Sequence, residues 1–599
     1  MTEYNTTWVY IFLGIYIIYC FYWGLKGYFT EKTSSGYSIA GRSIPFFAFL
    51  LAATAASFSG WTFIGHPGLI WRDGLAYAFA SFYVLTIPIT GTFFSKRTWL
   101  LGKRYGFVTP GDMYAYYFNS EAIRWLVVAT AVLYSIFYAA VQLMASAALF
   151  HVIAGVPVVF GAIFMSFIVW FYVCTGGLKA STWVGVIQFV LLIAGIIILG
   201  VYVIIQPQFG GWTGFSASVA NLDAKLLTVP EMITWGLGKK GAESWTAVMI
   251  LTYMFALMGI QSSPAFTMWT FGIKSPKPLA WQQAFMSTFV VGFSLFYFSA
   301  FQGMGGKVLQ MAGVPAFQGI TQATLVPTLM REFLPPFMLG VVFMGAIAAI
   351  HSTAAPYIGT GGSILLRDVY WRYIRKQQAG HAEQIWVNRI FATLLTILAL
   401  TVGLTSKAAL VILGALATAF GFVMYVLLLG VIWGVKIPRI GAVLGVLVGM
   451  VAVYLTYAVW PNPLSMHCAF WGTFSGLVVA MLCRALGAKD DQETIERQAE
   501  IRNFLDDIDA PSAAAKQWRS AMKFIVPIWY FFAIGPAVML GNHAFSFGGF
   551  PPLWSWQIVW WILGIVMMWG LCFKAEMSTT NAVQIERAEK ETHIVIKEA

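Results

Sequence analysis

The sequence predicts an all-α polytopic membrane protein with about fifteen transmembrane helices. Three observations predict it. Of 599 residues, 59% are hydrophobic and only 10% charged, more apolar surface than a soluble core buries. The apolar residues come in runs of about 18 or more, long enough to cross a bilayer. The 36 Lys and Arg lie between those runs and not along one basic face, so the net charge of +12 reflects membrane orientation, and no nucleic-acid partner is needed.

The runs fall at about 8–25, 45–70, 75–95, 122–152, 157–175, 183–205, 246–271, 280–302, 336–366, 389–406, 408–434, 440–460, 465–484, 523–541 and 555–573. The first has no basic residue before it and Lys26 after it, the reverse of a cleavable signal peptide, so it is expected to be retained with the N-terminus outside. An odd number of spans then puts the C-terminus in the cytoplasm. The loops with Lys26, Lys32 and Arg42, with Lys96, Arg97, Lys103 and Arg104, and with Arg367, Arg372, Arg375 and Lys376 fall inside. About 29 of the 36 Lys and Arg fall inside and about 7 outside, the bias expected of a bilayer protein.

Between the spans, the segment 206–245, rich in Gly and Trp, and the segment 303–335 are expected outside as a lid. The second carries Thr328 to Leu334, an amphipathic stretch suited to a membrane interface. The segment 485–522 mixes Asp490, Asp491, Glu496, Arg497, Glu500, Arg502 and Asp509, and is expected to be a short solvated helix and a linker inside. Cys20, Cys174, Cys468, Cys483 and Cys572 show no metal-ligand spacing and are expected to be free thiols.

None of the 24 acidic residues stands at the centre of a span, so a driving ion is expected to meet neutral oxygens. The run 336–366 supplies them: Ser352 and Thr353 are adjacent hydroxyls at mid-depth, and the small Ala349 one turn earlier leaves its carbonyl accessible. Oxygens of this kind suit a hard cation, although Ser and Thr also serve as glue between membrane helices.

Two runs carry interruptions. The second holds Ser57, Ser59, Gly60, Trp61, Thr62, Gly65, His66, Pro67 and Gly68, and the seventh holds Gly259, Gln261, Ser262, Ser263 and Pro264. Such residues free backbone groups, tolerated only against protein or a water-filled cavity. Interruptions five spans apart indicate an inverted repeat of spans 2–6 and 7–11 with a binding site at the breaks.

Ala349-x-x-Ser352-Thr353 followed by Asp368-x-Tyr370, the Ser59-Gly60-Trp61 break, and Gly176-Gly177-Leu178-Lys179-Ala180 leading to Gln188 resemble the sodium:solute symporter family over residues 8 to 485. The resemblance implies a LeuT-like core of 5+5 inverted helices with a sodium ion between the first and eighth. It also implies sodium ligands: the carbonyls of Ala55, Phe58 and Ala349 and the hydroxyls of Ser352 and Thr353. Substrate contacts are expected among Ser57, Thr62, Tyr138, Gln142, Gln261 and Ser262, Tyr138 matching a tyrosine of the proline transporters. The chain departs from the family at Val184 and Gly185, where Thr-Asp is frequent, and at Ser57, where proline transporters carry Asp. Ala256, Ile260 and Trp269 replace residues of the proline pocket, so a different solute is expected. His351, next to Ser352, points about 100° away and is expected to be structural. His66 and His151 are expected to be structural too, and Arg72-Asp73 is either an outer gate or a simple exposed pair.

The expected divisions are 1–44, an extra helix and loop; 45–206, the first repeat; 207–435, the second repeat with external loops; 436–485, peripheral helices; 486–522, a cytoplasmic linker; 523–573, a helix pair; and 574–599, a tail. The resulting expectation is a transporter and not an enzyme: sodium-coupled symport of a small organic solute, amino acids and related zwitterions first, carboxylates second, across a bacterial inner membrane. A solute sensor with the same body and a proton-coupled symporter remain open alternatives.

Overall fold

The structure is a computed structural model that describes residues 5–235, 245–405 and 410–590. Part of the expected outer lid (236–244), the first residues of the run 408–434 and the end of the tail lie outside the described residues. Eleven described helices are long and apolar enough to cross a membrane, and three bent pairs raise the number to 14. The helix Val158–Ile204 has 47 residues, about 70 Å at 1.5 Å per residue and more than twice a hydrocarbon core. Gly177 interrupts it at φ 60° and ψ −151°. A Cβ there would sit 2.4 Å from the carbonyl oxygen of Tyr37, so only glycine fits. Divided at Gly177, this helix covers both of the expected runs 157–175 and 183–205.

The span Pro336–Ile374 runs through the centre, packed against Val158–Ile204, Glu121–Ala154 and Thr7–Thr30. Thr7–Thr30, His381–Thr405, Arg439–Val459 and Cys468–Ala485 lie at the periphery, with about a third or less of each apolar window buried. Ile18 and Phe29 on the first of them are each 70% exposed, as suits a helix facing lipid. The two interrupted spans are bent, Phe46–Ser57 against Trp61–Asp73 by 54° and Ala247–Ser262 against Pro264–Gly272 by 44°. The start of the first is tied to the end of the second: Ile44 N–H donates to Gly272 O (3.1 Å) and Lys274 N–H to Ile44 O (3.0 Å).

Three expectations need correction. The central helix does not stop near 366 but continues in π-helical turns to Ile374, which places Arg367 and Asp368 inside the protein. The helix Leu325–Phe333, expected at a membrane interface, turns its apolar face inward. It buries Leu325, Val326, Leu329 and Met330 against the protein, because the ends of the spans beneath it offer an apolar face. The helix Gln492–Ile508 is docked and not solvated: its Ile501, Phe504, Leu505 and Ile508, at i, i+3, i+4 and i+7, form a buried stripe among charges that face outward. The residue after it, Asp509, binds Lys96 (2.5 Å) and Arg97 (2.7 Å) at the end of the span Leu75–Tyr105. Arg97 also donates to Ile432 O (3.0 Å), so one acidic group ties this segment to two spans.

The side chains of Lys96, Arg97 and Asp509 are 3%, 8% and 5% exposed. Removing the acid strands two buried cations, which costs about 3–5 kcal/mol where such pairs are broken. Asp509→Ala is therefore expected to lower the melting temperature of the purified protein markedly, and Asp506→Ala, at an exposed position, to leave it nearly unchanged.

Candidate functional site

The site is built at the first break. The helix from Phe46 ends at Ser57, Phe58 takes an extended conformation (φ −124°, ψ 98°), and the chain resumes as a π-turn at Trp61. This interrupts the i→i+4 ladder inside the bundle, where Ala55 O keeps only a 3.2 Å backbone bond from Phe58 N–H. The central span supplies two side-chain partners. Ser352 Oγ donates to Ala55 O (3.0 Å) and Ala349 O (3.1 Å), and Thr353 Oγ1 donates to Ala56 O and to Ala349 O, both at 3.4 Å. Glu121–Ala154 supplies a third: Gly60 N–H donates to Gln142 Oε1 (2.9 Å). Ser59 Oγ accepts from Trp61 N–H (3.1 Å), which closes the turn locally.

Four of the five expected sodium ligands thus meet, Ala55, Ala349, Ser352 and Thr353, while Phe58 stands at the break itself. All five are buried. Their donor set is neutral and consists of hydroxyl and carbonyl oxygens, the chemistry a hard monovalent cation takes. Among the described residues no three His, Cys, Asp or Glu side chains converge as a metal site, and all five cysteines are free. His351 is turned to the opposite side of its helix, where its Nδ1 lies 3.1 Å from Tyr16 Oη, itself bonded to Gln188 Nε2 (2.6 Å). That network fixes the rotation that aims Ser352 and Thr353 at the break.

Between the two breaks lies a small cavity of about 20 Å³. Ser57, Ser59, Trp61 and Thr62 line it from the first break, Tyr253, Leu257 and Ile260 from one face of the second broken span, and Tyr83, Tyr138, Ala415 and Thr418 from neighbouring spans. Every lining side chain is neutral. Of the expected solute contacts, Ser57, Thr62 and Tyr138 line this cavity. The other three are engaged elsewhere: Gln142 caps Gly60, Gln261 faces Gly91 and Gln282, and Ser262 Oγ donates to Gly421 O (2.8 Å). Thr62 Oγ1 accepts from Tyr83 Oη (2.6 Å). Tyr83, Tyr253, Ala415 and Thr418 were not legible as site residues, because no motif marks them. The period of Tyr253, Leu257 and Ile260, one helical face ending at the break, is the signal that points to three of the lining residues.

At one end of the central span the charges gather. Arg124 Nη1 donates to Asp368 Oδ1 (2.5 Å) and Asp112 Oδ1 (3.0 Å), and Arg367 Nε to Asp112 Oδ2 (3.3 Å). Burial pushes the Asp112 carboxyl up, but the guanidinium groups of Arg367 and Arg124 prevail and hold it below its ordinary value. The other polar residues singled out by sequence are structural: His66 Nε2 lies 2.9 Å from Ser81 Oγ, and His151 Nδ1 lies 3.0 Å from Val156 O. Arg72 and Asp73 form an exposed pair (2.7 Å) to which Trp245 Nε1 adds a bond (2.8 Å).

Residues 37–449 match the profile of the family described as "SSF: Sodium:solute symporter family". The chain is 25% identical over 484 residues to a sodium/proline symporter of Haemophilus influenzae, covering 75% of this chain and 88% of that protein. It is 23% identical over 501 residues to a sodium/pantothenate symporter of the same organism, covering 81% and 98%. A solved structure described as the substrate-bound outward-open state of a Na+-coupled sialic acid symporter superposes with a TM-score of 0.69 at 18% identity, over 81% of this chain and 99% of that one.

Because Gln142 satisfies a freed backbone donor, Gln142→Met is expected to cost about 1–3 kcal/mol of stability. The check is thermal unfolding of the purified variant, with Gln378→Met, at an exposed position, as the control expected to stay near wild type.

Proposed function

The chain belongs to the sodium:solute symporter family, and from that premise we propose how it holds its ion and what kind of solute it carries. It is an integral membrane protein and a secondary active transporter that couples sodium to a small organic solute; it is not an enzyme. In our reading sodium is held by the carbonyls of Ala55, Phe58 and Ala349 and the hydroxyls of Ser352 and Thr353. The observation that carries this is the Ser352 hydroxyl, which bridges Ala55 O of the broken span and Ala349 O of its own helix. An ion taken there draws on oxygens of two separate helices, so it favours the arrangement in which they meet.

The solute's place is the adjoining cavity, against Ser57, Thr62 and Tyr138, with Ser59, Trp61, Tyr253 and Thr418 completing the wall; at about 20 Å³ it has room for water alone and must widen to admit the solute. Ser57 stands two residues from Ala55, so ion and solute share one stretch of backbone. Each then raises the affinity for the other by the same factor, and alternating access carries them together. A neutral wall suits a solute without net charge, or one whose carboxylate is balanced by the ion. Relatives named for proline and pantothenate fit that order: amino acids and related zwitterions first, carboxylates second. Gln142, Gln261 and Ser262 act in this reading by shaping the breaks and not by touching the solute.

The two repeats are assigned to 45–206 and 207–435, with 1–44 an added helix and loop, 436–485 peripheral, 486–522 the cytoplasmic docked segment, 523–573 a helix pair and 574–599 the tail. The Lys and Arg bias supports an N-terminus outside and a C-terminus in the cytoplasm, in a bacterial inner membrane.

Ser352→Ala and Thr353→Ala each remove one oxygen without adding volume. Each is expected to raise the sodium concentration for half-maximal uptake about tenfold, the loss of roughly 1.4 kcal/mol of ion binding, at unchanged expression. Sodium activation curves in proteoliposomes test this; curves unchanged in both variants overturn the assignment.

A further inference from the structure

On the outside of the core two voids run together. One of about 540 Å³ is walled by Ile89, Phe93, Phe255, Met258 and Tyr425 among others, and one of about 380 Å³ by Arg519, Lys523, Leu571 and Met577 among others. They share Phe93, Trp433 and Val526 and so form one groove between the spans Leu75–Tyr105 and Gly414–Trp433 and the helix Ala513–Ala533.

The helix Ala513–Ala533 contributes a single stripe to this groove: Arg519, Met522, Lys523, Val526, Pro527 and Tyr530, at i, i+3, i+4, i+7, i+8 and i+11. Its length is about 17 Å at 1.5 Å per residue, close to one leaflet of a hydrocarbon core about 30 Å thick. The stripe is graded. Cations stand at one end, where Lys516, three residues before Arg519, adds an exposed third, and apolar and aromatic side chains fill the rest. Of the acids nearby, Asp509 is paired with Lys96 and Arg97, while Glu576 accepts from Ser512 (2.7 Å) and keeps its charge; Arg519 is oriented by donating to Ala575 O (2.8 Å) and Glu576 O (3.5 Å), which leaves Lys516 and Lys523 as its exposed cationic partners.

We propose that this groove is a binding site for an anionic phospholipid, its acyl chains along Phe93, Val526 and Tyr530 and its phosphate at Lys516, Arg519 and Lys523. An apolar slot one leaflet deep accepts any acyl chain, and the cations at its head select negative charge. The occupant lies against Phe255 and Met258 on the second broken span, whose Leu257 and Ile260 wall the solute cavity. A lipid held here therefore touches a helix that the transport cycle uses.

The test titrates the purified full-length protein in detergent with phosphatidylglycerol or phosphatidylcholine of identical acyl chains, read by melting temperature and by retained lipid in native mass spectrometry. Phosphatidylglycerol is expected to stabilise saturably and bind about tenfold more tightly. The double variant Lys516→Glu/Lys523→Glu, at exposed positions, is expected to abolish that preference. Val526→Trp, which fills the groove from its peripheral wall, is expected to weaken both lipids, and it carries the test if the double variant does not fold. Equal binding of the two lipids, a preference that survives the substitutions, or an equal shift with soluble glycerol phosphate overturns the proposal.

Discussion

Backbone groups freed inside a bilayer must be satisfied by protein, at a cost of several kcal/mol for each one left bare. The rest of this structure depends on how that constraint is met at the first break. Gly60 N–H goes to Gln142, and Ala55 O and Ala56 O go to Ser352 and Thr353. Each partner fixes a neighbour. The hydroxyls are useful only at one rotation of the central span, and that rotation is held on the far side by His351, Tyr16 and Gln188. The oxygens that make the break tolerable are also the ones proposed to hold sodium, so stability of the empty site and affinity for the ion compete for the same lone pairs.

Charge is distributed to match. Lys96 and Arg97 with Asp509, and Arg124 and Arg367 with Asp112 and Asp368, gather where the helices end, while the cavity wall is neutral. Ion pairs with rigid geometry hold the ends of helices in place. A middle built of hydroxyls and carbonyls exchanges partners at lower cost, which is what a site that must bind and release demands.

Much of this was legible in the sequence, for physical reasons. Hydropathy marks spans because a bilayer allows few alternatives, and the breaks are visible because Gly60 and Pro264 weaken a helical ladder. Ser352 and Thr353 stand out because hydroxyls are conspicuous in an apolar run. The docked helix Gln492–Ile508 was hidden: its apolar stripe is interleaved with acids and bases, and Asp509 finds Arg97 across 412 positions. The cavity wall was hidden too, since Tyr83, Tyr253 and Thr418 lie on three helices far apart in sequence and meet only in the folded bundle. Gln142 reads from the sequence as a solute contact because it lies one turn from Tyr138, yet the Gly60 N–H freed at the break donates to its side-chain oxygen. The period of a helix says which residues share a face, and the break decides which of them is needed elsewhere.

The central claim is that ion and solute bind side by side on shared backbone, so that neither binds well alone. The most direct measurement is the melting temperature of the purified protein against a panel of amino acids, betaines, carboxylates and sugars, each in sodium and in potassium. The account predicts a small zwitterion or carboxylate that stabilises the protein in sodium and fails to do so in potassium. A solute that stabilises equally in both salts would contradict it.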